Sequence, residues 1–337
     1  MGDRSELPVS PALVSVVIPT IRRPELVLRA VRSVLGQTYP AVEVVVVIDG
    51  PDDFTAAALT SIKDERVRVL QNMSSLGPGP ARNRAAREAR GEWLAFLDDD
   101  DEWLPDKLAR QLESQTADRD VVLSCRCRVE TPQATYIWPD RLCGPREPID
   151  EYLFVRRSLH RSEAYLATPT VVLPRRLFEA SDGFGSTMQN EDIALLLRVT
   201  KTLGAALVML PDVLTVIHTE EDRWSTGTVF DWREALAWAD GMGDLITPRA
   251  YSGLALVTAG SQAADSGDVR AIPILLQASF RRGKPTARQL LLFAAFWAVP
   301  PRLRQRVRAA LTRLRAPTHA SKRALTQSTV ARTNAPC

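Results

Sequence analysis
The chain has 337 residues, is 45% hydrophobic and 25% charged, and carries a formal net charge of +3 at pH 7. This is the composition of a folded soluble protein, long enough for one large domain or for a domain with an appendage. No segment reaches the roughly 20 apolar residues that span a bilayer. The start, "MGDRSELPVSPALVSVV", has neither the basic region nor the apolar core of a signal peptide, and Glu6 excludes a myristoylation signal.

The near-neutral total hides a split. From Arg281 to Cys337 there are 13 Lys plus Arg and no Asp or Glu, which leaves 30 basic and 40 acidic side chains in the first 280 residues. A mildly acidic body with a strongly basic end predicts that the end meets an acidic surface. The four cysteines contain no C-x-x-C pair. The C-x-C spacing of Cys125 and Cys127 sets both on one face of a strand, and the thiols are read as reduced and structural in a cytoplasmic protein.

Along the chain, "VSVVIP" (14–19) predicts a first strand, and Pro24 to Gly36 a helix with proline near its start and glycine near its end. "VEVVVVIDG" (42–50) predicts a second strand, followed by a helix around 52–62. "RVRVLQN" (66–72) predicts a third, followed by a helix over 79–90, and "EWLAFL" (92–97) a fourth. Alternating strands and helices, with continuously apolar strands, predict an α/β fold with a mainly parallel sheet covered on both faces. Next come a helix over 105–115, a strand over 120–129 and a less regular, Pro-richer region over 130–190 holding a strand at "TPTVVLP" (168–174). A helix over 190–204 has Asn190 as its N-cap candidate, and "ALVMLPDVLTVIH" (206–218) supplies one or two more strands. The pattern is helical from about 229 to about 315. The domain reading is a leader over 1–12, an α/β domain over 13–228, a helical C-terminal region over 229–315 and a disordered basic tail over 316–337.

Ligands of open parallel sheets bind beyond the carboxyl ends of the strands. Three such ends carry unusual polar residues: Pro19-Thr20, Asp49, and the run Asp98 to Asp101. Asp49 is placed to accept hydrogen bonds from a ribose or a base, although Asp49-Gly50-Pro51-Asp52 reads equally as a turn. Two carboxylates about 4 Å apart at an effective dielectric near 20 repel by roughly 4 kcal/mol, so four in a row require a counter-charge. A hard divalent cation, Mg²⁺ or Mn²⁺, held by carboxylates and phosphate oxygens would supply it. A solvated acidic loop is the alternative, but such loops rarely abut a run like "LAFL" and a following tryptophan. If the extended geometry persists, Asp98 and Asp100 point the same way, Asp98 toward the sugar or ribose and Asp100 onto the metal, with Asp101 behind them or capping.

Together, "VSVVIPTIRRPELVLRAVRSVLGQTYPAVEVVVVIDG", "GPARNRAAREARGEWLAFLDDDDEWLPDKL" and "GFGSTMQNEDIALLLRV" resemble the GT-A-type glycosyltransferases of family 2, in the right order over roughly residues 13–220. The resemblance implies a GT-A fold and an inverting transfer from a nucleotide-sugar donor, with a divalent metal at the D-x-D element. It implies that Pro19 and Thr20 touch the nucleotide, that Asp49 holds uracil or its equivalent, and that Arg82 and Asn83 stand beside the base. Asp98 and Asp100 match the D-x-D pair, with Asp99 between them among the donor-binding residues. Glu191-Asp192 matches the acidic pair that supplies the base, Asp192 first and Glu191 second; "NED" is equally good helix-capping chemistry. His218 is a candidate further metal ligand or a structural histidine, and Arg223, in an Arg223-Trp224 pair, a candidate diphosphate or acceptor contact.

The chemistry behind those expectations is general. A metal acting as Lewis acid stabilises charge building on a departing diphosphate, and an acceptor hydroxyl needs a carboxylate within hydrogen-bond reach. The acceptor is read as a glycan, a lipid-linked saccharide or a small molecule, and the donor as a UDP-sugar. Leu303, Val307, Leu311 and Leu314 at helical spacing, among six arginines and after "LLLFAAFWAV" (290–299), make 290–315 a candidate contact with an anionic membrane from its cytoplasmic side, an ordinary packed helix being the alternative. Nucleic acid is not expected, because aromatic interleaving is absent. One rival is a sugar nucleotidyltransferase, which usually needs a Gly-rich loop that "PTIRRPEL" lacks. The other is a catalytically inactive glycan- or nucleotide-sugar-binding protein, against which both acidic motifs argue.

Overall fold
The computed structural model describes residues 11–115, 120–157, 163–185, 190–219, 231–299 and 303–304. Strands β1 (Val14–Thr20), β2 (Val42–Ile48), β3 (Val67–Gln71) and β4 (Trp93–Phe96) alternate with helices α1 (Pro24–Leu35), α2 (Asp53–Leu59) and α3 (Pro78–Glu88). β1 pairs in parallel with β2 and β4, and β2 with β3. Every residue of β1 and β2 is buried, because their alternate side chains feed two cores. Val14, Val16, Ile18, Val44 and Val46 pack on one face with α1, and Val17, Val45 and Val47 on the other with α3. A two-sided strand is mostly apolar, which is why these runs lack polar alternation, and the buried polar pair they do carry is satisfied internally, Ser15 Oγ donating to Glu43 Oε1 at 2.6 Å.

The remaining elements are β5 (Glu102–Trp103), α4 (Lys107–Glu113), β6 (Val121–Glu130), β7 (Thr135–Trp138), α5 (Ile149–Phe154), β8 (Val172–Pro174), α6 (Arg175–Ala180), α7 (Glu191–Leu197) and β9 (Ala206–His218). The sheet runs β3-β2-β1-β4-β8-β6-β9-β5, with β7 beside β6. It is less parallel than the sequence suggests: β8 is antiparallel to both β4 and β6, and β5 and β7 join antiparallel. The strand expected over 168–174 begins only at Val172, because Thr168–Thr170 forms a 3-10 turn. Pro169 has no N–H for a ladder, and its carbonyl instead accepts from Trp103 Nε1 at 2.8 Å. Asn190 precedes α7 but gives it no side-chain cap; its backbone is left-handed at φ 54°.

Beyond β9 the chain is helical: α8 (Trp232–Gly241), α9 (Pro248–Gly253), α10 (Gly260–Ser266), α11 (Ala271–Arg282) and α12 (Ala287–Ala298). A π-helical stretch, Leu254–Ala259, joins α9 to α10. Its Leu254, Ala255, Leu256 and Ala259, with Trp232, Tyr251, Leu275 and Phe293, belong to the same core as Val17, Leu94 and Phe96. The C-terminal helices therefore extend the core on the α3 side of the sheet and pack against α5.

Behind β5, Lys107 is fully buried, with Nζ 2.7 Å from Gln111 Oε1 and 3.9 Å from the centre of the Trp103 ring. Burial pushes its amine down to about 7, although the ring face favours the charged form. An amine held below its unfolded pKa lets the unfolded chain bind the extra proton, so stability should rise as pH climbs from about 7 toward about 10. Lys107→Met should flatten that rise in melting temperature between pH 7 and 9. Parallel curves for both proteins would show that the buried amine does not govern it.

Candidate active site
The carboxyl ends of β1, β2 and β4 share one rim, and each carries a polar group. Pro19 lies within β1 opposite Val47. Thr20 Oγ1 donates to Asp99 Oδ2 at 2.7 Å. Asp49 serves its own neighbourhood: its carboxylate accepts from Asn72 Nδ2 (2.7 Å), Ser75 Oγ (2.9 Å) and the backbone N–H groups of Leu76 and Gly77 (2.8 Å for Gly77). It thereby ties down the loop that launches α3. Gly50 turns the chain away at φ 127°, a region that favours glycine.

The extended geometry expected through the aspartates does not persist. The backbone turns after β4, with Asp101 N donating to Asp98 O at 3.2 Å, so Asp99 parts from the other three side chains. Asp99 points to Thr20 and Arg23. Burial pushes its carboxyl up to about 6, Arg23 and the Thr20 hydrogen bond pull it down, and Asp100 adds to the rise. Asp98, Asp100 and Asp101 instead converge, each offering a carboxylate oxygen within 4.8 Å of the others. Asp101, expected behind the ligands, thus stands among them, and its Oδ1 also accepts from His218 N at 3.1 Å. The His218 ring turns elsewhere: Nε2 lies 2.8 Å from Glu102 Oε1 and Nδ1 3.6 Å from Glu130 Oε2. That pairing takes both ring nitrogens and leaves His218 outside the converging group.

Three arginines surround the turn. Arg23 Nη1 lies 3.0 Å from Asp99 Oδ1 and 3.2 Å from Asp100 Oδ2. Arg29 donates to the Asp100 carbonyl and stands 3.3 Å from Glu102. Arg82, from α3, is 6% exposed; one nitrogen meets Asp98 and another lies 3.2 Å from Glu191 Oε1, while the guanidinium faces the Phe184 ring. Burial alone would lower its pKa, but Asp98 and Glu191 outweigh that and raise it. The two acidic motifs, 90 residues apart in sequence, thus meet on one buried cation. Gly79 permits this approach, since a Cβ there would stand 2.8 Å from the Gly185 carbonyl.

Glu191 is raised above the ordinary carboxylate range by burial and by Asp192, with Arg82 opposing. Asp192 Oδ2 accepts from Thr168 Oγ1 at 2.9 Å, and Oδ1 from Ile193 N. Asn83, expected beside a base, clasps the Phe184 backbone with both amide atoms at 2.8 Å. It is a brace for the Gly183–Phe184 corner. Arg223 and Trp224 lie outside the described residues. Sequence reasoning missed Arg23, Arg29 and Thr168; the only available signal was the paired arginine in "TIRRPEL".

A curled, mixed α/β sheet with a carboxylate-rich turn at its rim, facing a second acidic pair at a helix start, has the architecture of the GT-A fold. Residues 15–181 match the model of glycosyl transferase family 2, and the chain carries a family 2 glycosyltransferase domain. It is 41% identical over 104 residues to the succinoglycan biosynthesis protein ExoO of Rhizobium meliloti, covering 31% of this chain and 30% of that one. It is 35% identical over 100 residues to WfaP of Escherichia coli, a UDP-Glc:alpha-D-GlcNAc-diphosphoundecaprenol beta-1,3-glucosyltransferase, covering 30% and 40% of the two chains. The aligned segments thus span less than half of these relatives. A longer match, 27% over 246 residues, joins 70% of this chain to 79% of the amylovoran biosynthesis glycosyltransferase AmsB of Erwinia amylovora. Among solved structures, S. aureus TarS 1–349 in complex with UDP-GlcNAc superposes with TM-score 0.56 at 18% identity, over 83% of both chains, and shares the fold.

Removing one partner from a buried ion pair costs roughly 3–5 kcal/mol. Arg82→Met should destabilise the protein by about that much in chemical denaturation, and by clearly less when Glu191→Gln is already present. Additive effects of the two substitutions would show that they do not share the pair.

Proposed function
We propose that the protein transfers a glycosyl group from a nucleoside-diphosphate sugar to an acceptor hydroxyl, with inversion and with a divalent cation. The carrying observation is that Asp98, Asp100 and Asp101 present three convergent carboxylate oxygens, and that Asp98 is linked to Glu191 through Arg82. The donor set fits the group: hard oxygen ligands suit Mg²⁺ or Mn²⁺. Asp98, Asp100 and Asp101 would hold it, and it would supply Lewis-acid stabilisation of the departing diphosphate.

The chain's own residues carry the other roles. Thr20 fixes Asp99, and Arg23 and Arg82 set positive charge beside the phosphates. Glu191 is committed to Arg82, so Asp192, bonded to a neutral threonine hydroxyl, is the base that takes the acceptor proton. Asp49 acts by holding the loop over 72–77, against which a base would rest, and Asn83 by holding the corner at Phe184. UDP-sugars are the proposed donors, in line with the UDP-glucose in the name of WfaP.

The proposed acceptor is lipid-linked and the proposed location is the cytoplasmic membrane face. Among the described residues no helix is long and apolar enough to cross a membrane. The outward face of α12, however, is apolar at Leu291, Ala294, Ala295 and Ala298. Phe280 and Leu291 are 62% and 71% exposed, and the chain beyond Arg281 has no acidic residue. Such a face beside positive charge suits an anionic bilayer surface.

Asp192→Asn should keep nucleotide-sugar affinity within about twofold by calorimetry and lower transfer by roughly 10²-fold or more; near-normal turnover would move the base elsewhere. Full-length protein should float with liposomes containing anionic lipid, and protein lacking residues 300–337 should not. Failure of the intact chain to float would remove the membrane location.

A further inference from the structure
The acid turn already holds positive charge on a partly exposed side chain. Arg23 sits just before α1, at the mouth of the rim, with its side chain 25% exposed, while Asp99 and Asp100 beneath it are 8% and 10% exposed. Its Nη1 bridges those two carboxylates at 3.0 and 3.2 Å. Arg82 is fixed differently, buried between Asp98 and Glu191. Arg29 reaches Asp100 only through its carbonyl among the contacts seen. Arg23 therefore touches the carboxylate of Asp100, one of the three convergent acids, from a partly exposed position at the edge of the core.

A guanidinium and a divalent cation seek the same carboxylate lone pairs and repel each other at such range. We propose that Arg23 is a tethered counter-ion that competes with the divalent cation for Asp100, so that the metal enters together with the diphosphate rather than before it. This rests on the metal reading above. Without nucleotide, the arginine satisfies Asp99 and Asp100 and weakens metal binding. The negative charge of a diphosphate gives both cations ligands, and the competition ends. The function is ordered loading, which keeps the acid turn folded and neutralised between turnovers.

The test is calorimetric titration of Mn²⁺ into nucleotide-free full-length protein. Arg23→Ala should bind Mn²⁺ at least about tenfold more tightly than wild type, Arg23→Lys should stay near wild type, and Asp100→Asn added to Arg23→Ala should abolish the gain. With UDP or GDP present, Mn²⁺ affinity should rise more for wild type than for Arg23→Ala. Thermal melts check folding, and Arg23→Gln, which keeps donors without charge, replaces the alanine variant if that one unfolds. Equal nucleotide-free affinities of wild type and the uncharged variants would overturn the competition, while sensitivity to Asp100→Asn would leave the metal site standing. No Mn²⁺ binding by any variant, with or without either nucleotide, would overturn both.

Discussion
Carboxylates cannot be crowded at a strand end unless positive charge is brought to them, and that requirement organises the rim of this sheet. Asp98 to Asp101 follow the buried strand β4 directly, and Asp99, Asp100 and Asp101 are themselves largely buried. Three guanidiniums from two helices and the β1–α1 connection answer them. The backbone turn divides the four acids between two tasks, Asp99 inward to Thr20 and Arg23, the other three toward a common point. Arg82 carries the arrangement further, since its second ion pair fixes the start of α7 relative to the end of β4.

That coupling explains why α3 is built as it is. Its N-terminal turn needs glycine at Gly79 to approach Gly185, Asp49 anchors the loop that feeds it, and Asn83 clasps Phe184. The hydrophobic face of α3, through Ala81, Ala85 and Ala86, packs into the core that also contains the C-terminal helices. Small side chains there let the helix lie close to β1 and β2.

The sequence made the first half of the fold legible because β1, β2 and β4 are buried on both faces and so are mostly apolar, without a polar alternation. It concealed β5 and β7, two and four residues long, which owe their existence to neighbouring strands, and it gave β8 too early a start. The candidate residues were legible by type, since runs of acids at strand ends are chemically conspicuous. Their partners were not. Asp49 with Asn72, Asn83 with Phe184, and Arg82 with Glu191 are contacts across 23 to 109 residues, set by packing that no local pattern encodes. His218 shows the same limit, because its orientation depends on Glu102 and Glu130 from two other strands.

If the proposed function holds, the turn after β4 gathers three carboxylates to hold a divalent cation against a diphosphate. Anomalous diffraction from crystals grown with Mn²⁺ and UDP or GDP tests it most directly. The account predicts one strong anomalous peak within about 2.0–2.6 Å of carboxylate oxygens from Asp98, Asp100 or Asp101 and in contact with a phosphate oxygen. A nucleotide bound with no peak there, or with the peak at His218, Glu102 and Glu130 instead, would contradict it.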